Sequence, residues 1–328
     1  MTVSIVIPAW NDVGGVQAAL KSLRKVSCVT EIIVIDDCSR QPVAEVIDVQ
    51  SAPYSSDAMG AEIKILRHSE NRGGGGARNT GLSAVSQPYV AFLDSDDLPT
   101  QEYGDIFEKF IAADSTFDFA MFRHIDSREA ALGKMCGLAV DEKSWDQLPV
   151  SEHPFEMTLA QKVMMSAVSA YPWNKLYRTA FLREHDIGCT EIPVHNDIEL
   201  HWVSFLQAAS VLYTHRTGVT HFVQDHGRRI TNRKGAERIR VFEALEKVCD
   251  RLNSTDQPMV MHASFWRFVN KLMRWIPNNL DPAFQADFVL RRRAFILKHL
   301  SSGHYKRTAF MDPDLGNQLI ELVREKLE

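Results

Sequence analysis

Four short apolar runs rich in Val and Ile divide the first hundred residues, and this pattern restricts the fold more than any other feature of the sequence. The runs are VSIVIP (3–8), EIIVID (31–36), EIKILRH (62–68) and YVAFLD (89–94). Segments of helical length separate them; Asn11 or Asp12 can cap the first helix, and Pro42 suits the first turn of the second. Apolar strands that alternate with helices are typical of a parallel sheet covered on both faces. The pattern predicts an α/β, Rossmann-like fold with a mostly parallel sheet flanked by helices.

Polar residues follow the ends of all four predicted strands. In a sheet of this type, ligands bind in the crevice outside the carboxyl ends of the strands. The polar segments are Pro8 to Asn11, Asp36 and Asp37, Asn71 to Asn79, and Asp94 to Asp97. We therefore expect these segments to meet at a single binding site.

Four consecutive glycines, Gly73 to Gly76, precede Ala77 and Arg78. The glycines alone would be consistent with a mobile loop. Arg78 at the start of a predicted helix favours a diphosphate site, because backbone N–H groups and a guanidinium both suit phosphate oxygens. The sequence lacks the Gly-Lys-Ser/Thr of a P-loop, and a dinucleotide-binding fingerprint would follow the first strand. The sequence thus predicts a phosphate site of another type.

Acidic residues end the second and fourth predicted strands. Asp94, Asp96 and Asp97 could be ordinary turn residues, but carboxylates crowded together repel one another unless a cation neutralises them. Their hard oxygen atoms favour Mg²⁺ or Mn²⁺, bound together with substrate phosphates. Asp36 and Asp37 could cap a helix, and we favour the alternative that they accept hydrogen bonds from the base or ribose of a nucleotide.

The segments VSIVIPAWND, EIIVIDDCS, NRGGGGARNTGL and YVAFLDSDD resemble the successive signature blocks of the family 2 glycosyltransferases, the inverting group with the GT-A fold. The resemblance is strong over roughly residues 1–125 and looser to about residue 235. It implies a metal-assisted transfer of a sugar from a nucleotide-sugar donor to a glycan or lipid-linked acceptor, with Mn²⁺ or Mg²⁺ as cofactor. UDP is the nucleotide expected from its frequency in the family.

The resemblance also implies roles for individual residues on the donor side. Trp10 stands where the family usually has Tyr, and Asp94 and Asp96 form the Asp-x-Asp pair, with Asp96 favoured as the direct metal ligand. The residues expected to bind the donor are Pro8, Trp10, Asp36, Asp37, Gly73, Arg78 and Asp94.

The acceptor side and the catalytic base are expected in the segments that follow. Trp173, Asn174 and Lys175 resemble a Trp-Asn-Lys segment of bacterial family members, and Trp173 is either a core residue or a platform for a sugar ring. The family's base is an Asp that follows an acidic residue at the entry to a helix, which corresponds to Asp197 here, although Asn196 replaces the acidic neighbour. Asp197 could instead only cap the helix.

The base has two competitors in its own segment, His195 and Glu199. Further along the chain, the segment from Val211 to His226 alternates like two edge strands. The resemblance implies that His226 is an additional metal ligand and that Arg228 contacts the diphosphate. His226 could instead be a structural residue, and Arg228 could equally be a solvated charge.

The chain is predicted to comprise a catalytic domain, 1–234, and a helical C-terminal extension, 235–328. Helical periodicity covers 236–253, 259–276, 283–299 and 314–327. The segment FWRFVNKLMRWI (265–276) is expected to pack against the catalytic body. Its aromatic and basic residues also suit an interface, so a homo-oligomer or a peripheral contact with a membrane stays an alternative.

Composition excludes several other classes of protein. A net charge of −5 gives no general attraction to nucleic acid, and five scattered cysteines without a Cys-x-x-Cys pair predict neither disulfides nor a zinc cluster. The N-terminus resembles no signal peptide, and we expect a cytoplasmic protein, with a peripheral position at the inner membrane face as an alternative. Two other functions stay open at this point: a nucleotidyltransferase that makes a nucleotide sugar, and a non-catalytic sugar- or nucleotide-binding module.

Overall fold

The computed structural model describes residues 2–114, 116–151, 153–223 and 233–325. Within these ranges one nine-stranded sheet forms the centre of the molecule. Its strands are Val3–Ala9 (β1), Val29–Asp36 (β2), Glu62–Arg67 (β3), Tyr89–Phe92 (β4), Leu98–Pro99 (β5), Phe119–Asp126 (β6), Phe155–Glu156 (β7), Lys175–Arg178 (β8) and Val211–His221 (β9). The first helices are Val13–Leu23 (α1), Ser56–Met59 (α2), Gly73–Ala84 (α3), Tyr103–Ala113 (α4), Ser127–Ala131 (α5), Ala139–Trp145 (α6), Leu159–Met165 (α7), Thr179–Glu184 (α8) and Ile198–Gln207 (α9). The C-terminal helices are Val241–Ser254 (α10), Met259–Trp275 (α11), Gln285–His299 (α12), Ser302–Met311 (α13) and Pro313–Arg324 (α14).

The N-terminal half of the sheet is parallel, in the order β3-β2-β1-β4. Successive residues of β1 point into two different cores, with Val6 in one and Ile5 and Ile7 in the other, because both faces of the sheet are covered. The four predicted strands are therefore confirmed. Asp12 caps α1 as expected, since its carboxylate accepts a hydrogen bond from Gly15 N at 3.0 Å.

The prediction of a helix with Pro42 in its first turn, between β2 and β3, is wrong. Pro42 precedes only a 3₁₀ turn, Val43–Glu45, and α2 has just four residues. The intervening sequence SAPYSSDAMG (51–60) is polar and contains Pro53, so it offers no continuous apolar stripe to bury against the sheet.

The other half of the sheet is mixed. Strand β8 is antiparallel to both β4 and β6, whereas β9 is parallel to β6. One strand, β9, occupies the region where two edge strands were predicted, and β5 and β7 pair with its other side. The register of β6 and β9 shifts on either side of Arg123, so β9 has extra residues there that bulge out of the sheet.

The C-terminal helices share a core with the sheet. The cluster of buried residues that contains Val6 also contains Phe265 and Leu322, and the Trp202 ring on α9 meets the Phe265 ring on α11 at 5.2 Å between centroids. The sequence predicted one helix in the last segment of the chain and missed α13. One hydrophobic core includes residues of both predicted parts, 1–234 and 235–328. The predicted boundary therefore marks only the point in the chain after which the elements are helical. None of the described helices is long and apolar enough to cross a bilayer.

Close packing of α3 on β1 gives a test of this fold. A Cβ atom at Gly81 would collide with Val6, so we expect Gly81→Ala to lower the free energy of unfolding by about 1–3 kcal/mol. A Cβ at Gly14 in α1 would meet nothing within 4 Å, and Gly14→Ala should leave stability unchanged or raise it by about 1 kcal/mol. Chemical denaturation of both variants measures the difference; equal stabilities would contradict the packing.

Candidate functional site

A cleft of about 1990 Å³ opens at the carboxyl ends of the parallel strands. The N-terminus of α3 and the residues after β1 and β4 form one wall, and the segment before α9 and the helix α11 form the other. The predicted site residues that line it are Pro8, Trp10, Asp37, Gly73, Arg78, Asp94, Asp96 and Asp197. Three separate strand ends and two helix starts thus contribute side chains to one space.

Asp37 fixes the start of α3. One carboxylate oxygen accepts hydrogen bonds from Arg72 N at 2.8 Å and pairs with His68 at 2.7 Å, and the other accepts from Gly73 N at 2.7 Å. The glycine run is therefore the first turn of a helix and not a mobile loop. Gly73 has a φ of +76°, and a Cβ at Gly75 would collide with the Thr190 carbonyl. Glycine lets this helix approach the opposite wall of the cleft.

Arg78 joins the two walls of the cleft. Its buried guanidinium pairs with Asp94 Oδ1 at 2.5 Å and donates to Asn196 Oδ1 at 2.7 Å. Asn196 stands where an acidic residue was expected, and its side chain positions the Arg78 guanidinium. Because Asn196 precedes Asp197, the same contact ties the acidic cluster to the base candidate.

The acidic cluster brings three carboxylates together. Ligand atoms of Asp94, Asp96 and Asp97 lie within 4.8 Å of one another. Asp97 is fully buried and accepts from Phe222 N at 2.9 Å. It also pairs with His221 at 2.9 Å; burial disfavours the charge on that imidazole, but the carboxylate outweighs this effect and raises the pKa of His221. Asp94 and Asp96 therefore supply the carboxylates that face the cleft.

Asp197 precedes α9, and its side chain makes no capping hydrogen bond with that helix. Burial raises the pKa of Asp197 to about 6, although the nearby positive charge of Arg78 partly opposes the shift. The competitor Glu199 accepts from Thr190 Oγ1 at 2.6 Å and pairs with Lys247 at 2.8 Å, outside the cleft lining. Asp197 is thus the carboxylate of this segment that faces the cleft with an elevated pKa.

The prediction that Asp36 contacts a nucleotide is wrong. Its carboxylate accepts from Ser39 N at 2.8 Å and Val43 N at 3.1 Å and pairs with Arg67. The side chain is 1% exposed and does not line the cleft. Asp36 instead caps the turn after β2.

The structure favours the core interpretation of Trp173 over the sugar platform. Trp173 is 1% exposed and packs on both Tyr171 and His221, at centroid distances of 4.5 and 4.9 Å, in a cluster in which these two rings also meet. Asn174 and Lys175 are also buried, so neither is a direct ligand here. The Lys175 ammonium donates to Tyr171 O at 2.5 Å and Asn174 Oδ1 at 2.9 Å, and burial lowers its pKa to about 7. These residues hold the loop that presents Tyr171 to the cleft.

Two predicted residues, His226 and Arg228, lie outside the described residues. Sequence reasoning assigned no site role to many of the residues that line the cleft, among them His221, Arg233, Lys271 and Trp275. The Arg233 guanidinium lies over the Trp10 ring at 5.9 Å. The sequence shows that Lys271 and Trp275 share one face of a helix, but it does not show that this face lines the cleft.

Comparison with known proteins adds independent findings. Residues 4–185 match the model of the family described as glycosyl transferase family 2. The chain is 39% identical over 99 residues to the pre-mycofactocin glycosyltransferase of Mycobacterium tuberculosis, which covers 30% of this chain and 18% of that protein. It is 27% identical over 198 residues to the putative glycosyltransferase EpsH of Bacillus subtilis, covering 60% and 52%. The chain thus spans about half or less of the length of these relatives.

Solved structures show the same fold. Residues 1–349 of Staphylococcus aureus TarS in complex with UDP-GlcNAc superpose with a TM-score of 0.75 at 18% identity, covering 99% of this chain and 91% of that one. The mannosyltransferase PcManGT from Pyrobaculum calidifontis, in complex with GDP-Man and Mn²⁺, gives a TM-score of 0.54 at 14% identity, covering 98% and 86%. The α/β fold is therefore GT-A, with a helical C-terminal region.

The raised pKa of Asp197 predicts a pH-dependent stability. The folded state binds the proton of Asp197 more tightly than the unfolded state does. This proton therefore contributes fully to the free energy of unfolding below the ordinary pKa of 3.8, and the contribution is lost as the pH rises to about 6. Asp197→Asn should match the parent at low pH and be more stable by about 1–2 kcal/mol above pH 6, allowing for partial solvent access.

Thermal melting between pH 4 and 8 tests this expectation. Asp57→Asn, which alters an exposed carboxylate on α2, serves as the matched control. An equal gain in both variants, or a gain that grows towards low pH, would contradict the assigned environment of Asp197.

Proposed function

The chain belongs to glycosyl transferase family 2, and from that premise we propose that it transfers a sugar from a nucleotide-diphosphate sugar to a hydroxyl group of a glycan or lipid-linked acceptor, with inversion at the sugar. The observation on which this rests is the meeting of Arg78, the Asp94–Asp96 pair and Asp197 in one cleft. A UDP-sugar is the proposed donor. The TarS structure contains UDP-GlcNAc and the PcManGT structure contains GDP-Man, which supports a nucleotide-sugar donor in general.

On the donor side, the exposed face of Trp10 offers a stacking surface for the nucleoside. Pro8 and Asp37 border the same end of the cleft, and Gly73 lets a phosphate approach the start of α3 without meeting a side chain. The Arg78 guanidinium then provides a fixed positive charge near the diphosphate.

Asp94 and Asp96 fit a divalent cation, because their hard oxygen atoms lie close together and both residues line the cleft. A bound Mn²⁺ or Mg²⁺ would supply positive charge to the leaving diphosphate. Arg78 pairs with Asp94 and keeps that carboxylate oriented towards the cleft. His226 as a further ligand and Arg228 as a diphosphate contact stay part of this proposal.

Asp197 is the proposed general base. With a pKa of about 6, its carboxylate is ionised at neutral pH and still basic enough to accept a proton from an acceptor hydroxyl as that oxygen attacks the sugar. The attack occurs on the side opposite the leaving diphosphate, so the bond to the acceptor forms as the bond to the donor phosphate breaks. No covalent sugar–enzyme intermediate is required.

Release of nucleoside diphosphate from UDP-, GDP- and dTDP-sugars, with Mn²⁺, Mg²⁺ or EDTA, tests the donor site. We expect slow hydrolysis of one donor that EDTA and Asp96→Ala abolish, because the substitution removes a carboxylate from the acidic cluster. Calorimetric binding of the same panel separates a missing acceptor from a missing donor site. Absence of both turnover and binding would refute the transferase proposal and favour a non-catalytic module. Formation of a nucleotide sugar and pyrophosphate from a nucleoside triphosphate and a sugar 1-phosphate, in a separate assay, would favour a nucleotidyltransferase.

The pH dependence of turnover tests the base. We expect kcat/KM to fall below about pH 6 as Asp197 becomes protonated, and Asp197→Asn to lower kcat by roughly 10²- to 10⁴-fold. Glu199→Gln, which alters a carboxylate outside the cleft lining, should retain turnover within a few-fold. A larger loss in Glu199→Gln than in Asp197→Asn would reverse the assignment.

A further inference from the structure

We propose that α11 forms an acceptor subsite in which a sugar or polyol unit packs on Trp275 and a neighbouring phosphate or carboxylate group of the acceptor meets Lys271. This inference rests on the proposed function, because it concerns the substrate that receives the sugar. The ligand class is an anionic glycan or polyol chain, and phosphate and carboxylate are its two possible sources of charge.

The cleft-facing side of α11 combines apolar and cationic residues. Phe268, Lys271, Leu272 and Trp275 recur at helical spacing and all line the cleft. Trp275 remains 45% exposed, whereas Trp266 on the same helix is buried in the core. An aromatic side chain left accessible within a concave site is characteristic of ligand contact.

Trp275 contacts the segment that carries the base candidate. Its ring meets the His195 ring edge to face, with centroids 6.0 Å apart, and His195 is two residues before Asp197. His195 has a φ of +64°, a backbone conformation that is costly for a residue other than glycine and is often retained at functional sites. A unit packed on Trp275 would therefore lie close to the carboxylate that accepts the proton.

His195 lines the cleft next to Trp275, and its contact with Arg238 determines its tautomer. The Arg238 guanidinium lies over Trp275 at 5.0 Å and approaches His195 Nε2 at 3.4 Å, so it favours the tautomer with the proton on Nδ1. Burial lowers the pKa of His195 to about 3, and Arg238 contributes to the shift. The imidazole is therefore neutral at physiological pH and suited to a hydroxyl group.

Lys271 accounts for the anionic part of the proposed ligand. Its side chain is exposed to the cleft and forms no ion pair within 4.0 Å among the residues that the structure describes. Asp141 is near enough for Lys271 to affect its pKa, but Asp141 is buried and accepts from Ser169 N at 3.2 Å. A cation beside an accessible aromatic ring favours a negatively charged ligand group over a neutral one.

Calorimetry with two matched pairs of acceptor probes, in the presence of Mn²⁺ and UDP, tests the subsite. One pair is a uronic-acid tetrasaccharide and its carboxyl-reduced form; the other is a polyol phosphate oligomer and the free polyol. We expect one anionic probe to bind more tightly than its neutral counterpart. Trp275→Ala should weaken that binding by about 10-fold or more, and Lys271→Gln by about 3- to 10-fold with a smaller salt dependence.

Two matched variants serve as controls, Phe310→Ala and Lys306→Gln, which alter exposed residues on α13 away from the cleft lining. Equal binding of neutral and anionic probes, no binding of either anionic probe, or unchanged affinity in Trp275→Ala would overturn the inference. Titration of UDP, GDP and dTDP into the same protein separates the two levels of failure. If none of the three binds, the proposed function fails; if one of them binds and the probes, tested in its presence, behave otherwise than expected, only the acceptor subsite fails.

Discussion

The pairing of the Arg78 guanidinium with Asp94 and Asn196 is the interaction on which the geometry of the cleft depends. The guanidinium is buried and the Asp94 carboxylate is partly exposed, so removal of Asp94 would leave an uncompensated charge in a poorly solvated place. Three elements meet through it: the first turns of α3, the end of β4 and the segment before α9. The acidic cluster and the base candidate hold their relative positions because the Arg78 guanidinium contacts Asp94 on one side and Asn196, the neighbour of Asp197, on the other.

Much of this arrangement could be predicted from the sequence, because the relevant signals are local. The apolar runs specify β1 to β4, and the carboxyl ends of parallel strands necessarily meet at one edge of the sheet. Asp94, Asp96 and Arg78 follow those strands and line the cleft as expected. Asp12 caps α1 for a similarly local reason.

The rest depends on which way a side chain faces, and local patterns do not determine that. Asp36 and Asp37 are adjacent and chemically identical, yet one points into the turn after β2 and the other fixes α3. Trp173 is buried beneath Tyr171 because of contacts with β9, a strand far away in the sequence. Trp275 lines the cleft only because α11 packs against α9, which no local pattern of residues 259–275 reveals.

The contact between Gly75 and the Thr190 carbonyl has a consequence for how such a protein can diversify. The two walls that hold Arg78 and Asp197 meet there through backbone, so substitution at Gly75 offers no gradual way to adjust their separation. Helix α11 instead faces the cleft with side chains, and these can change one at a time without disturbing that contact. A lineage that accumulates changes on α11 could therefore acquire new acceptors while it inherits the reaction chemistry intact.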